Sequence, residues 1–173
     1  EDNADAIFTW GYGKGERASL DKLYEKAKTS QWNDQTDLDW SIDVDPYEAL
    51  TPADPAEVAY FAENPKSPLY KLNEQEWADL GVESMNWSLS QFMHGEQGAL
   101  LCTARLVEAV PWIDAKYYAA TQVVDEARHV EAFARYLDEK MPAPYPINEN
   151  LKSLIDQVLR DERWDLVYLG MQV

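Results

Sequence analysis

Two glutamates and a histidine are spaced so that they can meet inside a helical hairpin. Glu96 lies 15 residues before Pro111, and Glu126 lies 15 residues after it. Because proline ends a helix, the two flanking helices are predicted to fold back on each other. Both carboxylates then lie roughly 22 Å from the turn, at one level of the pair. His129 shares the helical face of Glu126, so the pattern predicts a metal site made of two carboxylates and one imidazole.

The surroundings of these carboxylates favour a bound cation. Apolar side chains such as Phe92, Leu100 and Val123 flank the two glutamates, and an unpaired charge on an apolar face is costly. Two glutamates at one level also repel each other unless a cation lies between them. Iron or manganese suits mixed carboxylate and imidazole ligands, zinc is an alternative, and magnesium fits a histidine ligand less well.

Other interpretations of the same residues stay open. The pattern Glu-x-x-His occurs by chance in many helices, and Glu96 can pair with Arg105 or Arg128 instead. Asp125 and Arg128 can form an exposed ion pair worth about 0.2–0.5 kcal/mol. Alternatively, Asp125, steadied by Arg128, can orient a ligand histidine on another helix. His94 is assigned neither to the surface nor to the core.

The hairpin that carries these residues is the longest element that the sequence predicts. Asn73 is expected to begin it as an N-cap, with Glu76 as the second half of a capping box. The helical pattern then continues to Val110, and the second arm covers about 112–140. Cys102 falls within the first arm and is expected to be a small buried residue.

Shorter elements are predicted on both sides of the hairpin. Helices are expected over about 16–32 and 55–63, separated by an irregular acidic connection. After the hairpin, three prolines end the helical pattern, and Asn148 is predicted to cap a helix over about 149–162. A further apolar segment covers 164–173. The chain therefore divides into an irregular N-terminal arm, residues 1–70, and a helical unit, residues 71–173.

The fold class that follows is all-α. Each long arm of the hairpin carries an apolar stripe wider than one neighbour can cover. This indicates a four-helix bundle of which the chain supplies the first helix pair and the start of the second half. The sequence is therefore expected to be part of a larger bundle.

Composition and charge exclude several classes of function. The 173 residues include 15 basic and 32 acidic side chains, a net charge of −17. Such a charge repels nucleic acid and anionic membrane surfaces, so neither is expected as a partner. Cys102 is the one cysteine, which rules out a disulfide framework within the chain. With no signal peptide or membrane span recognised in the sequence, the expected location is the cytoplasm.

The segment Asp125-Glu126-Ala127-Arg128-His129 resembles the Asp-Glu-x-Arg-His motif of bacterial multicomponent monooxygenase hydroxylases, such as soluble methane and toluene monooxygenase. Gly95-Glu96 and the run that begins at Tyr118 are similar to the first half-site of that family, including a spacing of about 30 residues between the glutamates. The resemblance covers about 85–140. Over 20–45 the sequence is similar, more weakly, to N-terminal arms in the ribonucleotide reductase-like group.

This resemblance implies a ferritin-like bundle with a di-iron centre, in which iron–manganese is an alternative. Glu96 would be a terminal ligand, Glu126 a bridging ligand and His129 an imidazole ligand, with Asp125 and Arg128 behind them. The family's second half-site has no counterpart in this sequence. It is expected from a continuation of the chain, which is favoured, from a second chain, or from a homodimer.

The implied activity is the oxidation of an organic small molecule by O2, with an electron-transfer partner supplying electrons. Phe133 stands where ribonucleotide reductase small subunits carry a radical tyrosine, so a stable tyrosyl radical is not expected. The candidate pocket residues, all within a turn or two of a ligand, are Phe92, Leu100, Thr103, Gln122 and Phe133. The alternatives are a ferritin-like ferroxidase, for which iron is the substrate, and a metal-free helical interaction protein.

Overall fold

A computed structural model describes residues 6–171, and every regular element in this range is a helix. The helices are α1 (Ala18–Thr29), α2 (Asp34–Asp37), α3 (Pro55–Ala62), α4 (Glu74–Ala109), α5 (Ile113–Lys140), α6 (Glu149–Arg160) and α7 (Trp164–Gly170). The all-α prediction is confirmed, while the four-helix bundle and the division at residue 70 stay predictions. The first five residues of the predicted arm and the last two of the final segment lie outside the described range.

The predicted hairpin is present as α4 and α5, which pack along their length. Its first helix begins with the expected capping box: the backbone N–H of Glu76 donates to Asn73 Oδ1 at 3.0 Å, and the N–H of Asn73 donates to Glu76 Oε2 at 2.8 Å. The chain leaves α4 at Val110, and Pro111 lies in the short turn before α5. No helix within residues 6–171 is long and apolar enough to cross a membrane.

Two apolar clusters lie at opposite ends of the hairpin. The cluster near the turn contains Cys102, Leu106, Val110, Ala119 and Val167. The cluster at the far end contains Val82, Leu137 and Met141. The predicted burial of Cys102 is confirmed. Residues 94–101 of α4 and 120–133 of α5 lie between the two clusters, so the candidate ligands occupy the middle of a hairpin that is packed at both ends.

Polar side chains of α4 hold the proline-rich connection that follows α5. Asn86 Nδ2 donates to the carbonyl of Ala143 at 2.7 Å, and the N–H of Tyr145 donates to Ser90 Oγ at 2.9 Å. His94 Nε2 lies 2.9 Å from the carbonyl oxygen of Tyr145. His94 is therefore a structural residue that positions this connection, an assignment that the sequence left open.

The N-terminal arm runs along α5 and is hydrogen-bonded to it near both ends of that helix. At the turn, the buried carboxylate of Asp114 accepts hydrogen bonds from the backbone N–H groups of Gly15 and Arg17, each at 3.0 Å. At the other end, Lys140 Nζ donates to the carbonyl of Trp40 at 3.1 Å. Between these points α1 packs on α5. The arm therefore covers one face of the helix that carries Glu126 and His129.

A close approach of α6 to α4 depends on a glycine. A Cβ atom at Gly98 would lie 2.7 Å from Cδ1 and 2.9 Å from Cγ1 of Ile155, whereas a Cβ at Gly95 meets nothing within 4 Å. We expect Gly98→Leu to lower the free energy of unfolding by about 1–3 kcal/mol through overpacking. Gly95→Leu is the matched control and should raise it slightly, since glycine is a poor helix former. Urea unfolding measures both, and equal losses would contradict the close packing.

Candidate metal centre

The structure brings Glu96, Glu126 and His129 together. Nδ1 of His129 lies 3.2 Å from Oε2 of Glu96 and 3.2 Å from Oε2 of Glu126. One ligand atom from each residue lies within 4.8 Å of the other two, and this is the one group of three or more such residues in the part of the chain that the structure describes. The convergence predicted from the spacing about Pro111 is therefore present in the fold.

The two carboxylates are largely removed from water. The side chain of Glu126 is 17% exposed and that of Glu96 is 26% exposed. Burial, foremost, and the interaction with Glu96 raise the pKa of Glu126 to about 7, while His129 acts in the opposite direction. The metal-free hairpin thus holds a carboxylate whose charge is costly at neutral pH. A cation beside it would remove that cost.

The donor set fits a transition-metal ion. Two carboxylate oxygens and one imidazole nitrogen can all face one ion, since they come within 4.8 Å of one another. Such mixed oxygen and nitrogen ligands suit iron, manganese or zinc. Without a metal, an N–H at Nδ1 of His129 can donate toward either carboxylate, each of which has an oxygen 3.2 Å away.

The arginines that might have paired with Glu96 are engaged elsewhere. Arg105 Nη2 donates to the carbonyl of Asp161 at 3.1 Å, and Arg128 forms an ion pair with Asp125. In the described chain Glu96 has its polar contact with His129 instead. The alternative in which Glu96 serves a structural ion pair with either arginine is therefore wrong.

Asp125 and Arg128 form an ion pair on the face of α5 that the N-terminal arm covers. Asp125 accepts a hydrogen bond from Gln122 Nε2 at 3.1 Å and pairs with Arg128. Arg128 Nη1 in turn donates to Gln31 Oε1 at 2.8 Å and to the carbonyl of Trp32 at 3.0 Å. Within residues 6–171 the polar partners of Asp125 are these α5 side chains. Its predicted role toward a histidine on another helix stays a prediction.

Trp32 is a neighbour of the site that sequence reasoning did not identify. Its ring stacks on the imidazole of His129, with centroids 6.2 Å apart and planes inclined by 25°. The guanidinium of Arg128 lies over the same tryptophan, 5.2 Å from the ring centroid. Arg128 thus holds Trp32 against His129. No signal in the sequence could have shown this, because the contact joins the arm to α5 across a large separation in the chain.

Three cavities border the cluster. The inner cavity, of about 690 Å³, lies between α1, α4, α5 and α7, and Glu96, Glu126, Thr103 and Gln122 all line it. The second, of about 600 Å³, lies between α4 and α6 and is lined in part by Glu96 and Phe92. The third, of about 420 Å³, is lined in part by His129 and Phe133. Leu100 lines none of these three.

The five candidate pocket residues therefore have different surroundings. Thr103 is buried beside the inner cavity, and Gln122 is half-buried there. Phe92 is 61% exposed and stacks on Phe133, with ring centroids 6.3 Å apart. Only the two polar candidates share a cavity with both ligand glutamates, so these are the ones placed to meet a molecule bound beside the cluster.

Comparison of the chain with protein-family models, curated proteins and solved structures gave no match.

Proposed function

We propose that this chain is the metal-binding part of a non-haem di-iron oxygenase or oxidase that uses O2 to oxidise an organic small molecule. The observation that carries the proposal is the convergence of Glu96, Glu126 and His129 in the middle of a packed hairpin. The resemblance of residues 125–129 to the monooxygenase hydroxylase motif supports the choice of iron over zinc, and an iron–manganese pair is the alternative metal content.

The ligands would be Glu96, Glu126 and His129. The bound metal would supply the exchange of electrons with O2. The chain itself would hold and shield the site. Trp32 covers one side of His129, the apolar clusters close both ends of the hairpin, and Glu126 favours a cation because its charge is desolvated.

The inner cavity would hold the organic substrate. Its volume of about 690 Å³ falls within the range of about 300–1,000 Å³ that is typical of small-molecule sites. Both ligand glutamates line it, so a molecule inside would lie directly beside the metal. Beside the ligand glutamates, Thr103 and Gln122 would give this mostly apolar cavity polar contacts.

A complete two-metal centre takes about six protein ligands, and the cluster supplies three. The other ligands would come from a continuation of the chain, from a second chain, or from a second copy in a homodimer. An electron-transfer protein would be a further partner, since the described residues contain no group that could deliver electrons to the metal.

A second candidate is a ferroxidase, for which iron is the substrate. The observation in its favour is the accessibility of His129, whose side chain is 41% exposed. Iron ions could reach the cluster from that side without passing through the inner cavity. The two functions differ in the use of O2, because a ferroxidase consumes it only in proportion to the iron it oxidises.

Anaerobic loading with Fe(II), followed by desalting, metal analysis and an O2 pulse, tests the proposal. We expect iron to be retained in stoichiometric amounts. With excess reductant and a set of small organic probes, oxidised probe in excess of the bound iron supports the oxygenase. O2 uptake that oxidises the iron and leaves every probe unchanged supports the ferroxidase. A chain that retains no iron would overturn both.

A further inference from the structure

The inner cavity is elongated and differs in character between its two ends. The α4 residues that line it run from Glu96 to Val110, a span of about 21 Å at 1.5 Å per residue. The metal-ligand glutamates lie at one end. At the other end, beside the hairpin turn, Arg17, Trp112 and Trp164 line the cavity. The middle is lined by small or apolar side chains of α4 and α5, such as Ala99, Leu106 and Ala119.

Arg17 presents a cation at the turn end. Its guanidinium lies 3.8 Å from the ring centroid of Trp112, and Trp112 packs edge-on against Trp164 with centroids 5.3 Å apart. Within residues 6–171, no hydrogen bond from this guanidinium and no ion pair within 4 Å is found. Its polar edge is therefore available, while the aromatic rings hold its plane in place.

The nearby carboxylate of Asp114 does not form an ion pair with the guanidinium of Arg17. Asp114 is buried, and its carboxylate accepts the backbone N–H groups of Gly15 and Arg17 rather than the guanidinium. These bonds, the Gly15 bond foremost, lower the pKa of Asp114 against the opposing effect of burial, and the nearby charges of Lys14 and Arg17 make smaller contributions in the same direction. Arg17 is exposed, and among residues 6–171 it has no ion-pair partner, so an anionic ligand at the mouth of the apolar cavity would find a guanidinium to pair with.

We propose that the inner cavity binds an amphipathic organic anion, with its carboxylate at Arg17 and its apolar body along the cavity toward Glu96 and Glu126. A guanidinium is well suited to a carboxylate because its N–H groups match the two oxygens. The apolar walls would bury the hydrocarbon part. This inference rests on the proposed function for its meaning as a substrate site, and it places the end remote from the carboxylate beside the metal ligands.

Calorimetric titration of the full chain with decanoate and with decan-1-ol tests the proposal. The two probes share an alkyl chain and differ in charge. Measurements in the presence of a chelator keep the carboxylate from binding a metal instead. We expect saturable binding of decanoate at one site. Arg17→Gln should weaken this binding roughly tenfold or more, because a charge-assisted hydrogen bond is lost. Binding of decan-1-ol should be weaker and unchanged in Arg17→Gln.

Two further variants make the result specific. Arg17→Lys keeps the charge and should recover part of the affinity for decanoate. Arg160→Gln removes an exposed arginine that does not line the inner cavity and should bind decanoate as the unchanged chain does. The proposal is overturned if decanoate fails to bind, or if Arg17→Gln binds it as tightly as the unchanged chain.

The test of the anion site does not depend on whether the chain binds a metal. Iron retention is measured separately, and Arg17→Gln should retain iron as the unchanged chain does. Iron retention without decanoate binding would remove the anion site and leave the proposed function. Decanoate binding that depends on Arg17, in a chain that retains no iron, would remove the proposed function and leave the anion site.

Discussion

Replacing His129 with alanine should abolish metal binding while leaving the helices intact. The imidazole is the one nitrogen donor in the cluster and lies 3.2 Å from both carboxylates. Changes in residues that merely support a metal ligand weaken binding by about 10–100-fold, so loss of a ligand should weaken it more than about 100-fold. Competition titration of Fe(II) or Zn(II) against a chromophoric chelator measures the affinity, and circular dichroism checks the fold.

The chain offers a matched control, because it contains two histidines. His94 lies two residues before Glu96, but its ring contacts the carbonyl of Tyr145 and not the cluster. His94→Ala should cost about 1 kcal/mol of stability through the lost hydrogen bond and should keep metal affinity within a few-fold. Equal loss of affinity in both variants would indicate general disruption of α4 and α5. Retained affinity in His129→Ala would remove the histidine from the site.

Replacing Glu126 with glutamine should stabilise the metal-free chain and at the same time remove its metal binding. Desolvation and the neighbouring Glu96 raise the pKa of Glu126 to about 7 from its ordinary 4.5. A group with a raised folded-state pKa stabilises the fold fully below the unfolded pKa, and that stability is lost as pH rises through the folded value. The difference in pKa corresponds to about 3 kcal/mol, at 1.36 kcal/mol per unit.

The expected signature is a pH-dependent gap between the two proteins. In chelator, the chain and Glu126→Gln should unfold alike near pH 4.5, and the variant should become the more stable one as pH rises to 8. Added metal should reverse the order, because it stabilises only the folded protein that binds it. Urea unfolding at several pH values measures both effects.

Glu131→Gln is the control for this experiment. Glu131 is exposed on the same helix, and its side chain bonds to Gln35 at 3.3 Å, so its replacement should leave both stability and metal response nearly unchanged. A Glu126→Gln variant that is less stable than the unchanged chain at pH 8 in chelator would mean that the carboxylate makes a favourable structural interaction. A variant that still binds metal tightly would show that Glu126 is not a ligand.

The position of the candidate site was largely predictable, because it depends on local rules. A proline at one turn and two glutamates equally distant from it determine the level at which the side chains meet. His129 then follows from helical periodicity alone. The capping box at Asn73 is equally local, since it involves residues three positions apart. Each of these predictions used distances along a helix, which the sequence states directly.

The surroundings of the site depended on contacts between segments that are far apart in the chain. Trp32 lies against His129 where Arg128 bonds to the arm, and neither helical periodicity nor residue type indicates such a pairing. The same holds for Arg105, which could have paired with Glu96 but bonds to the end of α6. Several partners were chemically suitable in each case, and three-dimensional packing decided among them.

The sequence by itself therefore determined the two long helices, the caps at Asn73 and Asn148, the hairpin and the three residues that meet within it, because backbone hydrogen bonding and side-chain periodicity act over a few residues. The short helix α2 was not predicted and lies in the connection expected to be irregular. Only the tertiary structure decided the surroundings of His94, Trp32 and Arg17. Burial, stacking and the absence of an ion-pair partner in the described chain arise when separate segments pack together. The candidate metal ligands belong to the first kind of information, and the inner cavity with its cation at the turn end belongs to the second.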